Sequence, residues 1–241
     1  MPKYKIGKNV FEAAQERIEW TFDNFDKIYC SFSAGKDSGV MTHMVCEEAR
    51  KRGRKIGLFF LDWECQFSLT IDFAKKIYEE YADCIIPFWV AVPIKTWNAC
   101  SMHEPEWMAW DEEKKNLWAR EKDEISIKDG SFFPFWYEGI MFEEFVPTFG
   151  QWFAQGDKCA CFVGIRAQES LNRFRSMARD KPTYQGKQYT TNVVENVWNV
   201  YPIYDWNTED IWTYHGKTGK SYNKLYDRMH QAGMTIHKMR I

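Results

Sequence analysis

The sequence lacks the long apolar segments that cross membranes or direct export. No stretch of about 18 consecutive apolar residues occurs in its 241 residues, which excludes a membrane-spanning helix of ordinary length. The opening stretch, Met-Pro-Lys-Tyr-Lys, has none of the apolar character of a signal peptide. We therefore expect a cytoplasmic protein with no membrane partner.

Regularly spaced cysteines and a strong net charge are missing as well. The seven cysteines are an odd number and form no Cys-x-x-Cys pair, so we expect reduced thiols rather than a disulfide framework. Cys159 and Cys161 are compatible with a metal or redox pair, but the adjoining strand favours buried, inert thiols. A net charge of −2 predicts no general affinity for nucleic acid, which would then be reached only through a complex.

What the sequence does contain is an apolar strand, a short polar loop and a helix near its beginning. Residues 27–32 are typical of a buried parallel strand, and a helical pattern starts at Ser38. Such an arrangement presents backbone N–H groups and a helix N-terminus to an anion. The loop between them consists of Ser33, Ala34, Gly35, Lys36, Asp37 and Ser38.

The charged members of this loop indicate which kind of phosphate site it is. A P-loop requires two glycines five residues apart and a lysine followed by serine or threonine, whereas here Asp37 follows Lys36. Lys36 supplies positive charge. Asp37 beside a phosphate site predicts either a bound Mg²⁺ or a helix cap.

Strands and helices alternate beyond the loop. Apolar runs at residues 56–61 and 85–92 flank a helical pattern, and further strands are predicted at 160–164 and 197–203. The pattern predicts a single α/β domain over residues 1–241, with a doubly wound, mostly parallel five-stranded sheet and helices on both faces. Asp62 comes directly after the second strand, at the edge where α/β sheets bind ligands.

The alternation stops between residues 95 and 156. This segment is rich in aromatic residues, and it holds twelve acidic and five basic residues between Glu104 and Glu144. We expect a mostly helical insertion within the single domain. Its acidic residues would repel a phosphate backbone, which argues against a nucleic-acid platform on this segment.

The loop resembles the pyrophosphate loop, Ser-Gly-Gly-x-Asp-Ser, of the adenine nucleotide α-hydrolase superfamily, with Ala34 in place of the first glycine. Residues 164–170, Gly-Ile-Arg-Ala-Gln-Glu-Ser, with Arg173 resemble a signature of phosphoadenosine phosphosulfate (PAPS) reductase-like proteins, as do residues 201–212 and 222–227. Members of the superfamily cleave ATP between the α and β phosphates or bind a related adenylyl compound. The resemblance therefore implies ATP and Mg²⁺ as cofactors.

The resemblance also implies roles for individual residues. Catalytic roles fall to Lys36, Asp37, Arg166 and Arg173. Nucleotide binding falls to Ser33, Ala34, Gly35, Lys36, Asp37, Ser38, Asp62, Gly164, Arg166 and Glu169. Asp37 and Asp62 are the expected Mg²⁺ ligands, and Glu169 is expected to orient Arg166. The alternative for the two arginines is simple pairing with Glu169 and surface acids.

Two kinds of relative look most similar within this group. One is the immunoglobulin-binding regulator A type, which works beside a ParB-like protein, and the other is the ATP-pyrophosphatase component of DNA phosphorothioation systems. The resemblance implies an ATP pyrophosphatase that adenylates an acceptor for sulfur modification of DNA, with a cysteine desulfurase or ParB-like partner. The alternatives are a PAPS or adenylyl-sulfate reductase and a non-catalytic nucleotide-binding regulatory subunit. PAPS reductases act through a cysteine in a C-terminal tail, and no cysteine follows Cys161 here, which opposes the reductase.

Overall fold

The structure is a computed structural model in which residues 7–170, 173, 175 and 182–241 are described. The helices are α1 (Val10–Asn24), α2 (Lys36–Lys51), α3 (Ser68–Glu80), α4 (Phe142–Ala154), α5 (Thr208–Thr218) and α6 (Leu225–Gln231). The strands are β1 (Lys27–Phe32), β2 (Ile56–Leu61), β3 (Ile85–Val90), β4 (Ile94–Trp97), β5 (Glu106–Ala109), β6 (Cys159–Val163), β7 (Thr190–Val194) and β8 (Val197–Val200). Short 3₁₀ helices span Glu112–Leu117, Gly130–Phe132 and Tyr184–Gly186.

The main sheet has six strands in the order β3-β2-β1-β6-β8-β7. All neighbouring pairs are parallel except β7 and β8, which pair antiparallel at the edge. The doubly wound, mostly parallel sheet is therefore confirmed, but the predicted count of five strands is wrong. The missed strand, β7, reads Thr-Thr-Asn-Val-Val, and its polar first half gives no apolar run to detect.

Helices cover both faces of the sheet, as predicted. Apolar side chains of α1, α2, α3 and α5, such as Ile18 and Val45, form one buried cluster with one face of the strands. On the other face, Phe145 and Phe149 of α4 pack among Phe59, Phe88 and neighbouring residues. The interior strand β2 is buried at every position, because both of its faces are covered.

The expectation of a mostly helical insertion at residues 95–156 is wrong. Its only α-helix is α4, which packs on the sheet as the crossover between β3 and β6. Before α4 come the antiparallel β4–β5 hairpin, two 3₁₀ helices and irregular chain. Buried aromatic rings such as Trp110 and Phe133 hold this irregular backbone in place.

The two closely spaced cysteines are inert by position. Cys159 and Cys161 are buried in β6, and burial raises the pKa of the Cys161 thiol to about 12. The structure thus favours the interpretation as buried thiols over a metal or redox pair. In the part of the chain described here, no helix is long and apolar enough to span a membrane.

Candidate active site

The loop of residues 33–38 lies at the point where the order of strands in the sheet reverses. The chain leaves β1 through α2 toward β2, whereas β6 lies on the opposite side of β1. Loops at the carboxyl ends of these two neighbouring strands diverge and leave a crevice, where α/β sheets bind ligands. Residues 33–38 follow β1 and residues 164–169 follow β6, so the two sequence motifs meet at this crevice.

Internal hydrogen bonds shape the loop for an anion. The hydroxyls of Ser33 and Ser38 are 2.9 Å apart, and the Ser33 N–H donates to Ser38 Oγ at 3.3 Å. Gly35 is the N-cap residue of α2 and has no side chain to cap the helix. Ala34 has φ +56°, the left-handed conformation that its position in the glycine pattern predicts.

Two cations and one carboxylate are buried together beside the loop. Lys36 Nζ lies 3.0 Å from Asp37 Oδ2, and Arg166 Nε lies 2.6 Å from Asp37 Oδ1. The three side chains are less than one tenth exposed. One carboxylate neutralises only one of the two cations, so the cluster carries a net positive charge that favours an anionic ligand.

Donors of Lys36 are already occupied by oxygens of the protein itself. The Lys36 backbone N–H donates to the Tyr226 hydroxyl at 3.1 Å, and the side-chain Nζ donates to the Met239 carbonyl at 3.2 Å. Tyr226 was not among the predicted site residues. The sequence signal was present, since Tyr226 lies in the family-like stretch 222–227, but that signal does not reveal what the hydroxyl contacts.

Gly164 is required by close packing. A Cβ atom on Gly164 would lie 2.7 Å from the Ser38 Cα and 2.8 Å from the Ser38 nitrogen. These are backbone atoms that cannot move without displacing the start of α2. Gly164 therefore lets the end of β6 approach the loop, and its predicted part in nucleotide binding would be indirect.

Glu169 and Arg173 lie differently from the expectation. Glu169 accepts a hydrogen bond from the Arg166 N–H at 3.2 Å, so it fixes the backbone of that residue. The Arg166 guanidinium is instead oriented by Asp37 and by Gln168 Oε1, 3.2 Å from Nη1. The Arg173 side chain is half exposed and 3.9 Å from Glu169, which matches the pairing alternative for Arg173.

Asp62 belongs to a separate buried group. Its carboxylate accepts hydrogen bonds from Trp89 Nε1 at 2.8 Å and from the Glu64 N–H at 3.0 Å, and it pairs with Arg120. Arg120 comes from the segment between β5 and α4, so this ion pair attaches that segment to the end of β2. Sequence reasoning missed Arg120, because no local pattern marks it.

The two aspartates predicted to hold Mg²⁺ do not fit a metal site in this arrangement. Both oxygens of Asp37 face the cations of Lys36 and Arg166, and Asp62 is neutralised by Arg120. Within residues 7–170, 173, 175 and 182–241, no group of three or more His, Cys, Asp or Glu side chains is placed to hold a metal ion.

A buried histidine pair lies behind the loop. The rings of His43 and His215 are 6.4 Å apart, and His43 Nδ1 is 2.7 Å from the Tyr81 hydroxyl. Burial lowers the pKa of His215 to about 4 and also lowers the pKa of His43. Both rings are therefore neutral at neutral pH and add no charge to the anion site.

Comparison with known proteins agrees with this geometry. Residues 27–232 match the phosphoadenosine phosphosulfate reductase domain, which is most of the chain. The chain belongs to the phosphoadenosine phosphosulfate reductase family. That match includes the loop after β1, the arginine after β6 and the stretch containing Tyr226.

Relatives of this PAPS reductase family member include YbdN, an uncharacterised protein of Escherichia coli strain K12. The two are 42% identical over 243 residues, covering 99% of this chain and 59% of YbdN. A protein of Methanocaldococcus jannaschii, MJ0973, is 26% identical over 93% of this chain and 44% of its own length. The chain thus spans less than two thirds of the length of either relative.

Solved structures of similar fold include an enzyme of the same family. A PAPS reductase from Candida auris, solved as a phosphate complex, has a TM-score of 0.52 and 14% identity, covering 94% of this chain and 93% of that one. An FMN adenylyltransferase from Candida glabrata has a TM-score of 0.51 and 16% identity, covering 90% of this chain and 57% of that one. At these identities the likeness concerns the fold alone.

Proposed function

We propose that this chain is an ATP pyrophosphatase, which cleaves ATP between the α and β phosphates and transfers the adenylyl group to an acceptor. The observation that carries the proposal is the pair of buried cations, Lys36 and Arg166, with Asp37 between them at the N-terminus of α2. A buried excess of positive charge at a helix N-terminus is suited to a polyphosphate.

The proposed chemistry places each group of the site around the leaving pyrophosphate. When the bond from the α phosphorus to the bridging oxygen breaks, negative charge grows on pyrophosphate, and Lys36 and Arg166 would neutralise it. The hydroxyls of Ser33 and Ser38 and the N–H groups of the loop would hold its oxygens. Asp37 would keep the two cations in position, since it contacts both.

Neighbouring proteins support ATP as the ligand. The Candida glabrata FMN adenylyltransferase was also solved in complex with ATP, with a TM-score of 0.50 and 14% identity to this chain. That enzyme is named for the transfer of an adenylyl group, which is the reaction type proposed here. Mg²⁺ stays part of the proposal as a partner of the ATP phosphates, and not of Asp37 or Asp62. Both aspartates are already neutralised by cations of the protein, so their carboxylates are not available to the metal.

We propose sulfur modification of DNA as the process that this adenylation serves, with a cysteine desulfurase among the partners. Nucleic acid would be bound through a complex. The net charge of the chain is −2, and the segment before α4 is acidic, so the isolated chain offers little attraction for phosphates.

A nucleotide-binding regulatory subunit acting with a ParB-like protein is the second candidate. The specific observation in its favour is that the Met239 carbonyl and the Tyr226 hydroxyl already occupy donors of Lys36. A phosphate oxygen that takes the Nζ donor now bound to the Met239 carbonyl would release Met239, and such an exchange is the kind of event that a nucleotide sensor uses. A PAPS or adenylyl-sulfate reductase is the third candidate, and the family match is its support.

The test is to incubate the purified chain with ATP labelled on the α phosphate, with and without Mg²⁺, and to separate the products. The proposal expects labelled AMP or an AMP adduct, together with pyrophosphate. Lys36→Ala should lose most of this activity. Lys55→Ala is the matched control, because Lys55 is an exposed lysine just before β2, at the opposite edge of the sheet.

Each other outcome has a defined meaning. Labelled ADP as the main product would show cleavage at the γ phosphate and refute the proposed reaction. ATP binding without cleavage would favour the regulatory subunit. Release of sulfite from PAPS by the wild-type chain with thioredoxin would identify a reductase.

A further inference from the structure

The strained residue of the loop needs an external support. Ala34 is fully buried and has φ +56°, in the left-handed region that an alanine disfavours and a glycine adopts freely. Residues in such conformations persist only where their surroundings hold them. The loop therefore depends on whatever fixes the peptide between Ala34 and Gly35.

Asn223 is the side chain that holds this peptide. Its Nδ2 donates to the Ala34 carbonyl at 3.1 Å and to Thr70 Oγ1 at 3.0 Å, and its Oδ1 accepts from the Leu225 N–H at 2.9 Å. Asn223 is fully buried. These hydrogen bonds, one each to α3, to the loop and to the start of α6, fix the orientation of the Asn223 side-chain amide.

The direction of the Ala34 carbonyl determines where the next N–H points. A trans peptide is planar, and its C=O and N–H point in opposite directions. Because Asn223 binds the Ala34 carbonyl, the Gly35 N–H of the same peptide points in the opposite direction, away from Asn223. A reversed peptide would instead present a carbonyl oxygen where phosphate oxygens are expected, and the two would repel.

We propose that Asn223 is a positioning residue of the phosphate site, which keeps Ala34 left-handed and the Ala34–Gly35 peptide turned toward the ligand. It touches neither the nucleotide nor the reacting atoms. This inference rests on the proposed binding of ATP, but the contact itself exists without ligand. Asn223 thus has a function in affinity and a separate, measurable function in the stability of the loop.

The size of the effect follows from the conformational preference of residue 34. Without Asn223, the left-handed state of Ala34 is disfavoured about 5–30-fold, and the apparent Kd for ATP rises by the same factor. A glycine populates both signs of φ about equally, so with Gly at position 34 the loss should be only about twofold. The two substitutions are therefore expected to be coupled.

The experiment is a double-mutant cycle with Asn223→Ala and Ala34→Gly, measured by titration calorimetry with ATP. Asn223→Ala should weaken ATP about 5–30-fold in the original background and about twofold beside Ala34→Gly. Thr70→Val is the control, because it removes the other acceptor of Asn223 and leaves the Ala34 contact; its Kd should stay within about twofold. Equal losses in both backgrounds, or a loss in Thr70→Val as large as in Asn223→Ala, would refute the proposal.

The same cycle in urea, without ATP, separates this inference from the proposed function. Asn223→Ala should lower the unfolding midpoint more in the original background than beside Ala34→Gly, and additive losses would overturn the inference. If the wild-type chain does not bind ATP, the proposed function fails while the urea cycle still decides the part played by Asn223. Asn223→Leu keeps a side chain of similar size without adding a charge and loses the donor to Ala34, and it replaces Asn223→Ala if that variant does not fold.

Discussion

Removing the Arg166 side chain should destabilise the whole domain, and not only weaken the binding of a ligand. Arg166 is 2% exposed, and its Nε lies 2.6 Å from Asp37 Oδ1. Arg166→Ala leaves the Asp37 carboxylate buried with part of its compensation gone. Loss of one partner of a buried ion pair costs about 3–5 kcal/mol. Lys36 Nζ remains 3.0 Å from Asp37, so we expect the lower end of that range.

The assay is urea unfolding followed by tryptophan fluorescence. Arg166→Ala should lower the free energy of unfolding by about 3 kcal/mol. Adding Asp37→Asn to this variant removes the carboxylate that still pairs with Lys36, leaves that cation buried without a counter-ion, and should cost about 1 kcal/mol or more in addition. Arg173→Ala is the control, because that side chain is half exposed and 3.9 Å from Glu169, and its change should stay within about 0.5 kcal/mol.

One result would refute the reasoning. If Arg166→Ala is as stable as Arg173→Ala, then the pair with Asp37 is not a buried contact in solution, and the net positive charge of the site is not enclosed. A gain in stability on adding Asp37→Asn would show that the buried Lys36 does not depend on this carboxylate, and would contradict the pairing of the two side chains.

Two further predictions concern the packing and the protonation around the site. Gly164→Ala should destabilise the domain by about 3 kcal/mol in urea unfolding, since its Cβ would overlap the Ser38 backbone. The control is Gly216→Ala in α5, where the Cβ meets nothing within 4 Å, and it should be neutral or stabilising by up to about 1 kcal/mol. The folded-state pKa of His215 is about 4, below its unfolded value. The stability that the neutral ring contributes is therefore present at neutral pH and is lost as pH falls from the unfolded pKa toward about 4. Between pH ~7 and ~5 the wild type should lose about 2 kcal/mol of stability that His215→Gln does not lose. His103→Gln, at an exposed position, should behave as the wild type, and equal losses in all three proteins would contradict a buried, neutral ring at position 215.

The parts of the fold that were predictable are those encoded in neighbouring residues. The strands β1, β2 and β3 are apolar runs, and the loop between β1 and α2 is marked by its small and charged residues. Residues 95–141 were misjudged, because aromatic content indicates burial without indicating a backbone conformation. There the backbone is held by contacts such as the hydrogen bond from Trp110 Nε1 to the Asp62 carbonyl, 2.7 Å long, which no periodicity encodes.

The candidate site, like the fold, could be predicted from the sequence only in part. Lys36, Asp37 and Arg166 were predicted as site residues from motifs, and the structure brings them together. That Asp37 holds both cations was not predicted, because a motif gives the residue type and not its partner. Asn223 was missed for the same reason: its amide bonds two elements that are distant from it in sequence.

The contacts of the site join segments that are far apart along the chain. Arg166 and Asp37 are 129 residues apart, and Tyr226 and Lys36 are 190 residues apart. Closing chain segments of this length is entropically costly, so we expect these contacts to form late in folding. ATP would then bind only the completed domain and would stabilise it by an amount that grows with its concentration. On the proposed binding of ATP, a destabilised variant should consequently survive best in cells rich in ATP.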